Sequence, residues 1–257
     1  MKLSAKILLR KTSLIDYPGY VSSVLFFSGC NLRCPWCHNR ELILGEGETC
    51  VSVEACLAHI YKRKNVLGGV VLSGGEPCLW DDLGDLIQEI KKLSPPGSGA
   101  PLSVKLDTNG MFPSLLEKIF SREENRPDYI ALDLKVAPDR YRELLPAGGM
   151  NLNNTDPGEL LRKSAALIRS SGIDHEYRSL ALPGNFFTEN DVEALAPLVN
   201  DAVKEADKFP WYFRPFAGGN CLDPAWNNFE EPAGEATARA AALAEKAREL
   251  WKNGIAR

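Results

Sequence analysis

The chain has 257 residues, 44% of them hydrophobic, and a formal net charge of −4 at pH 7. A chain of this size can bury a full core, and its charges form no basic cluster of the kind that marks nucleic-acid binding. No apolar run is long enough for a signal-peptide core or a membrane span, so the sequence predicts a cytoplasmic protein without membrane or nucleic-acid partners.

Six runs of apolar, β-branched or aromatic residues predict strands. Several runs are almost continuously apolar, which is typical of parallel strands that are covered on both faces. The six predicted strands are residues 21–28, 69–72, 102–106, 129–134, 175–182 and 211–216.

Helical patterns lie between these strands. Apolar residues repeat at helical spacing behind Asp81 and Asp82, which can cap a helix, and residues 188–191 resemble a capping box. The predicted helices lie near residues 53–64, 83–93, 115–120, 159–170, 188–199 and 237–251. The segments 94–101 and 146–154 interrupt this alternation, and we expect the first to be a flexible insertion.

Strands that alternate with helices predict an α/β fold with right-handed crossovers. Six units are too few for a closed eight-fold barrel, so we expect an open, partial (βα)6 barrel. We predict one domain over residues 1–257, with a core at about 15–220 and a C-terminal helix at about 232–253. Ligands of such sheets bind at the carboxyl ends of the strands, where the motifs below fall.

Three cysteines follow the first predicted strand in a C-x3-C-x2-C pattern, at Cys30, Cys34 and Cys37. Three thiolates can hold three irons of a four-iron cluster and leave the fourth iron open. Two alternatives stay open, a Cys34–Cys37 redox dithiol and a zinc site that includes His38. The dithiol needs no third cysteine, and adjacent residues seldom reach one tetrahedral ion, so the pattern favours the cluster. The other cysteines fit buried apolar positions.

The second strand is followed by Gly74, Gly75 and Glu76. Such residues can simply form a turn. Alternatively, two glycines allow close backbone approach to a ligand, and their carbonyls can accept from a cationic amine. Glu76 would then anchor this loop or hold polar contacts near the ligand.

Charged and polar residues end the next two strands. Asp107 and Thr108 can terminate a strand and cap a helix. Asp133 and Lys135 are two residues apart on a strand and therefore point to the same face. A buried carboxylate and ammonium are costly unless they meet a charged ligand, and a zwitterion would satisfy both.

Together these motifs resemble the radical S-adenosylmethionine (SAM) superfamily. Residues 14–19, 30–39, 106–110 and 132–135, together with Arg178, are similar to its glycyl-radical-enzyme activating branch, especially to the activating proteins of anaerobic ribonucleoside-triphosphate reductases. These motifs span roughly the first 180 residues in order.

The resemblance implies a set of cofactors and site residues. A [4Fe–4S] cluster would be ligated by Cys30, Cys34 and Cys37, and SAM would chelate its fourth iron. SAM contacts are implied for Trp36, Gly74, Gly75, Glu76, Lys135 and Arg178. A monovalent cation beside SAM is implied for Asp107, Thr108 and Asp133.

The resemblance also implies the reaction. A flavodoxin or ferredoxin would reduce the cluster, SAM would be cleaved to methionine and a 5′-deoxyadenosyl radical, and the radical would take hydrogen from a glycine of a partner glycyl radical enzyme, such as an anaerobic ribonucleotide reductase. No catalytic side chain beyond the cluster is expected, since the cofactor supplies the chemistry. The alternatives are a radical SAM enzyme for a small molecule or RNA, and a simple iron–sulfur electron-transfer protein.

Overall fold

Strands and helices alternate along the chain, as the computed structural model shows. It describes residues 5–44, 50–93, 101–148, 155–200, 209–232, 234–250 and 254–257. The strands are β1 Ile7–Ser13, β2 Ser22–Phe27, β3 Gly69–Gly74, β4 Ser103–Thr108, β5 Tyr129–Asp133, β6 Asp174–Ala181, β7 Trp211–Pro215 and β8 Gly254–Ala256. The α-helices are α1 Arg40–Leu44, α2 Val53–Arg63, α3 Leu83–Lys92, α4 Pro113–Phe120, α5 Pro157–Ser170, α6 Glu189–Val199 and α7 Glu235–Leu250.

The six predicted strands correspond to β2–β7, and the α/β class is confirmed. Two further strands were not predicted, for physical reasons. β1 is largely exposed in its middle and pairs antiparallel with β2, so it lacks the continuous apolar run of a buried parallel strand. β8 has only three residues, which is too short for any periodic signal.

The predicted insertion at 94–101 lies outside the described residues except for residue 101, and only the first part of 146–154 is described. The capping box of α6 is present, with Thr188 and Asp191 bonding reciprocally. The predicted cap of α3 is wrong in one respect. Asp82 occupies the N-cap position, but its side chain makes no capping hydrogen bond.

The chain forms two compact units. The first comprises Met1–Asn31, Glu41–Thr108 and Ser114–Ile130, and the second comprises Leu32–Arg40, Asn109–Pro113 and Ala131–Arg257. The single domain therefore stays a prediction. No helix among the described residues has the length and apolar character that a membrane span requires.

In the first unit, β2, β3 and β4 are parallel and carry a buried leucine row, in which Leu72 pairs with Leu25 on one side and with Leu106 on the other. The adjacent row has a different composition. Val71 pairs with Val24 and with Lys105, so a charged side chain stands in a largely apolar row.

In the second unit, β6, β7 and β8 are parallel, and α7 packs against all three strands. Buried Ser179 connects β6 to its neighbours. Its hydroxyl donates to the backbone oxygen of Leu134 at 2.7 Å and accepts from Trp211 Nε1 at 3.1 Å. The bond to Leu134 holds the chain directly after β5, where predicted site residues lie.

Candidate functional site

The first unit holds the start of the cysteine loop in place. The backbone nitrogen of Gly29 donates to the oxygen of Leu42 at 2.8 Å, and the Ser28 hydroxyl donates to the same oxygen at 3.1 Å. Gly29 has a φ of 93°, a left-handed conformation that glycine adopts without steric cost. The chain therefore turns sharply immediately before Cys30.

The glycine pair after β3 packs directly against this turn. The backbone nitrogen of Gly75 donates to Phe27 at 2.9 Å, and that of Glu76 donates to Gly29 at 2.9 Å. A Cβ at Gly75 would lie 1.8 Å from the backbone oxygen of Gly29, so no other residue fits there. Within the first unit, the two glycines let the loop after β3 pack closely against the backbone that leads into Cys30.

Glu76 anchors this loop. Its side chain is 1% exposed, and Oε1 accepts from the backbone nitrogen of Cys78 at 3.0 Å and from Thr108 Oγ1 at 2.8 Å. Of the two roles considered for Glu76 from the sequence, the anchoring role matches these contacts. Thr108, predicted as a cation ligand, uses its hydroxyl hydrogen for this bond.

Lys105 is a buried charge that the sequence-based prediction missed. Its Nζ lies 3.3 Å from Oδ1 of Asp107 and donates to the backbone oxygen of Asp16 at 2.9 Å. Ser73 Oγ donates to the other carboxylate oxygen of Asp107 at 2.9 Å. A signal was present, because Lys105 and Asp107 have the same two-residue spacing that singled out Asp133 and Lys135.

The second unit holds the later part of the cysteine loop. The backbone nitrogen of Cys37 donates to the oxygen of Cys34 at 3.0 Å, which closes a tight turn. Leu222 donates to the backbone oxygen of Cys37 at 2.8 Å, and Asp223 donates to that of Pro35 at 2.9 Å. A segment far along the sequence thus fixes the turn that carries two of the three predicted cluster ligands.

Aromatic residues pack around this turn. Trp36 is 6% exposed, and its ring centroid lies 5.6 Å from that of Trp226. His38 donates from Nε2 to the backbone oxygen of Ala217 at 2.8 Å, while its ring stacks on Phe216. The Nε2 of His38 is therefore committed to the backbone, which leaves Nδ1 as its only ring nitrogen for any metal.

A group of opposite charges lies at the end of β5 and within β6. Asp133 Oδ1 accepts from Arg178 Nε at 2.8 Å, and Oδ2 accepts from Lys135 Nζ at 3.2 Å. Arg178 also lies 3.9 Å from Glu176. Burial alone would raise the pKa of Asp133, but the charges of Arg178 and Lys135 outweigh burial and lower it to about 2.

Lys135 links this charged group to the cysteine turn. Burial alone would lower its pKa, but the negative charges of Asp133, and next of the Cys34 and Cys37 thiolates, raise the pKa of Lys135 above its ordinary value. The ammonium of Lys135 therefore lies within electrostatic reach of two predicted cluster ligands.

Tyr141 supports the same strand end, although no motif in the sequence singles it out. Its hydroxyl accepts from the backbone nitrogen of Lys135 at 3.0 Å and donates to the backbone oxygen of Asp133 at 3.3 Å. Burial raises the pKa of Tyr141. The hydroxyl therefore keeps its proton and fixes the backbone that carries the two charges.

The predicted site residues fall into two groups, one in each unit. The first unit contains Cys30, Gly74, Gly75, Glu76, Asp107 and Thr108, and the second contains Cys34, Trp36, Cys37, Asp133, Lys135 and Arg178. The three predicted ligands are cysteines that form no disulfide, and soft thiolates are the donors that iron–sulfur clusters use. This donor set fits a cluster with one open iron.

The Radical SAM superfamily model matches residues 24–197, more than half of the chain. Members of this superfamily use a [4Fe–4S] cluster and SAM, so both cofactor predictions are confirmed. A radical SAM methyltransferase from Sphaerobacter thermophilus has a similar structure, with a TM-score of 0.65, 16% identity, and coverage of 96% of this chain and 68% of that chain. This likeness confirms the fold class as a partial (βα)6 barrel of the radical SAM type.

Two relatives show to which branch of the superfamily the chain belongs. A Methanocaldococcus jannaschii protein, MJ1227, provisionally named a glycyl-radical enzyme activating enzyme, is 33% identical over 193 residues, 74% of this chain and 72% of that protein. The pyruvate formate-lyase-activating enzyme of Clostridium pasteurianum is 30% identical over 211 residues, 79% of this chain and 80% of that enzyme. The chain therefore belongs to the radical SAM superfamily, in its glycyl-radical-enzyme activating branch.

Proposed function

We propose that this enzyme installs a glycyl radical on a partner enzyme, of which an anaerobic ribonucleotide reductase is the favoured example. When bound, the reduced cluster and SAM supply a 5′-deoxyadenosyl radical that removes hydrogen from a glycine. The observation that carries the proposal is the charged group in which Asp133 accepts from Lys135 at 3.2 Å and from Arg178 at 2.8 Å, in the same unit as the turn that carries Cys34 and Cys37. The activating-branch relatives support the same reaction class.

In this proposal, Cys30, Cys34 and Cys37 ligate the cluster. Gly74 and Gly75 present backbone carbonyls to the methionine amine from a loop that is hydrogen-bonded to the turn before Cys30. Glu76 supports this loop, because its carboxylate accepts hydrogen bonds from the Cys78 nitrogen and from the Thr108 hydroxyl.

Lys135 and Arg178 provide cationic contacts for the carboxylate or ribose of SAM. Because the pKa of Asp133 is about 2, its carboxylate is ionised at neutral pH and holds both cations in place. A group with both signs of charge suits a zwitterionic ligand such as the methionine part of SAM. Trp36, fixed by Trp226, provides the contact to adenine, and a flavodoxin or ferredoxin provides the electron.

The first test is reductive SAM cleavage. Anaerobically reconstituted protein, reduced with dithionite and given SAM, should release 5′-deoxyadenosine. Cys34→Ala should lose both the cluster and cleavage, whereas Cys50→Ala, a partly exposed cysteine outside the motif, should keep both. A wild-type protein with a full cluster and no cleavage above background would disprove radical SAM activity.

The second test addresses the substrate. The reduced enzyme and SAM are incubated with candidate glycyl radical enzymes, and the glycine-centred doublet is sought by electron paramagnetic resonance. The doublet should appear with the correct partner and be absent with Cys34→Ala. Efficient SAM cleavage without a doublet on any glycyl radical enzyme would instead favour the small-molecule alternative.

A further inference from the structure

Strands β6 and β7 place two arginines close together on one face of the second unit. Successive side chains of a strand point to opposite faces, so residues that pair in register share a face. Arg178 pairs with Tyr212, and Leu180 pairs with Arg214. Arg178 and Arg214 are therefore diagonal neighbours on the face from which Arg178 donates to Asp133 at 2.8 Å.

Asp133 pairs with the other cations of this group but not with Arg214. Its two carboxylate oxygens accept from Arg178 at 2.8 Å and from Lys135 at 3.2 Å. Arg214 is half-buried, and its guanidinium makes no ion pair or hydrogen bond with any residue that the structure describes. A guanidinium has five N–H donors and stays charged in proteins. The donors of Arg214 are therefore open to water or to a ligand.

The surroundings of Arg214 do not favour its positive charge. Burial, and next the charge of Arg178, lower the pKa of Arg214, and the carboxylates of Glu176 and Asp133 only partly oppose this shift. Glu176 is within ion-pair distance of Arg178, at 3.9 Å. An unpaired charge in such a place lowers the stability of the free protein. Residues that a protein keeps for ligand binding commonly carry such a cost.

The charged group has one positive charge in excess. Three of its members are cations and two are carboxylates, namely Lys135, Arg178 and Arg214, and Asp133 and Glu176. One further carboxylate would balance the group. The planar fork of an arginine matches the two oxygens of a carboxylate, and such charge-assisted hydrogen bonds are among the strongest in proteins.

We propose that Arg214 is a specificity-determining residue that binds a carboxylate of one of the enzyme's two ligands. The source of the carboxylate is either the methionine part of SAM or an acidic side chain of the partner enzyme. The inference rests on the proposed function, which names these two ligands. Its consequence is that a ligand without this carboxylate gains no affinity from Arg214.

The first arm of the test measures SAM binding to the reconstituted full-length enzyme by equilibrium dialysis. Arg214→Met removes the charge and keeps an unbranched side chain. If SAM supplies the carboxylate, Arg214→Met should bind SAM about tenfold more weakly, because a hydrogen-bonded ion pair is lost. Its affinity for decarboxylated SAM should equal that of the wild type, since this probe lacks the group that Arg214 binds.

The second arm measures glycyl radical formation with the partner that gives the glycine-centred doublet with the wild type. If the partner supplies the carboxylate, Arg214→Met should bind and cleave SAM as the wild type does. The KM for the partner should rise about tenfold, while kcat should stay within about twofold of the wild-type value.

Two further variants serve as controls. Arg214→Lys keeps the charge but loses the planar fork, so it should recover only part of the lost affinity. Arg257→Met removes an exposed arginine whose guanidinium lies over the ring of Tyr212 at 4.9 Å, and it should match the wild type within about twofold. Denaturant unfolding of Arg214→Met should show no loss of stability, because the guanidinium has no partner among the described residues.

Four results would overturn the inference. The first is Arg214→Met with wild-type SAM affinity and a wild-type KM for the partner. The second is an equal loss of affinity for SAM and for decarboxylated SAM, and the third is the same loss in Arg257→Met, which would indicate a general effect of positive charge. The fourth is a marked loss of stability in both Arg214→Met and Arg214→Lys, which would indicate an internal structural role.

Two other outcomes also lead to a decision. If only Arg214→Met fails to fold, the affinities of Arg214→Lys for SAM, decarboxylated SAM and the partner decide. If no partner gives a doublet with the wild type, the proposed function fails, and the SAM arm alone decides about Arg214.

Discussion

At the residue scale, the candidate site consists of charges that are paired within the protein. Lys105 meets Asp107 in the first unit, and Asp133 meets both Lys135 and Arg178 in the second. A buried ion pair gives little net stability, but loss of one partner is costly because the other charge remains uncompensated. Single substitutions in these groups should therefore affect stability as well as SAM binding.

The carboxylate of Asp133 should give a pH-dependent contribution to stability. Its pKa falls from 3.8 to about 2 on folding, so the contribution is present above about pH 4 and is lost as the pH drops towards 2. Asp133→Asn should lower the free energy of unfolding by about 2 kcal/mol at pH 7, since hydrogen bonds to charged groups contribute about that much. Denaturant unfolding of wild type and variant between pH 7 and 3 measures this difference, which should shrink below pH 4.

Asp139→Asn is the control for this series, because Asp139 is exposed. It should change the free energy of unfolding by less than about 0.5 kcal/mol at every pH. A wild-type advantage over Asp133→Asn that is as large at pH 3 as at pH 6 would contradict the assigned role of Asp133.

At the scale of elements, the contact between the end of β3 and the start of the cysteine loop determines the position of Cys30, the first predicted cluster ligand. The backbone nitrogen of Gly75 donates to Phe27 and that of Glu76 donates to Gly29. Hydrogen bonds therefore join the loop after β3 directly to the turn before Cys30. The geometry of Cys30 therefore depends on a residue pair more than forty positions later in the chain.

Gly75→Ala should break this contact. The new Cβ would lie 1.8 Å from the backbone oxygen of Gly29 and 3.3 Å from the Cβ of Cys30, and a backbone atom cannot move aside as a flexible side chain can. We expect a loss of stability of about 1–3 kcal/mol, as for other overpacked sites, together with reduced iron content after reconstitution. Iron and sulfide per chain, measured beside denaturant unfolding, test both effects.

Gly148→Ala is the matched control, because a Cβ at Gly148 would meet no atom within 4 Å. It should bind iron as the wild type does. Full iron content and wild-type stability in Gly75→Ala would show that the turn before Cys30 does not need this close approach.

Much of the fold could be predicted because buried parallel strands leave a clear apolar signal, as in β3 and β5. Three elements gave no such signal: α1 and β8 are short, and β1 is exposed along its middle. The site residues could be named from motifs, but their contacts could not. The sequence does not single out Lys105, because this residue lies in an apolar run that predicts a uniform strand, although its polar partner Asp107 lies two residues away.

The contact partners of the glycine pair also could not be predicted from the sequence. Gly-Gly predicts close approach, but only the register of β2 and β3 shows that the approaching group is the backbone next to Cys30. Glu76 is a similar case. Its residue type allows either a ligand contact or an internal anchor, and the choice depends on Cys78 and Thr108, which the fold brings to its side chain.

At the scale of the whole molecule, the protein fold should not depend on iron. Strands β2–β4 of the first unit and β6–β8 of the second form parallel ladders. The cysteine loop is hydrogen-bonded to protein at both ends, at Gly29 and at Cys37. A zinc finger differs, because there the metal replaces a missing core and the apo chain unfolds. Here a large apolar core is present in each unit.

Removal of the iron with a chelator should therefore leave the secondary structure intact while SAM cleavage is lost. The far-ultraviolet circular dichroism of the apo and reconstituted proteins should superimpose. The melting temperature should still be lower for the apo protein, because a cofactor that binds only the native state stabilises it. Iron and sulfide added back anaerobically should restore cleavage to the same sample, since the loop around Cys34 and Cys37 keeps its own backbone bonds. Loss of helical ellipticity on chelation would mean that the cluster, and not the two cores, holds the protein together.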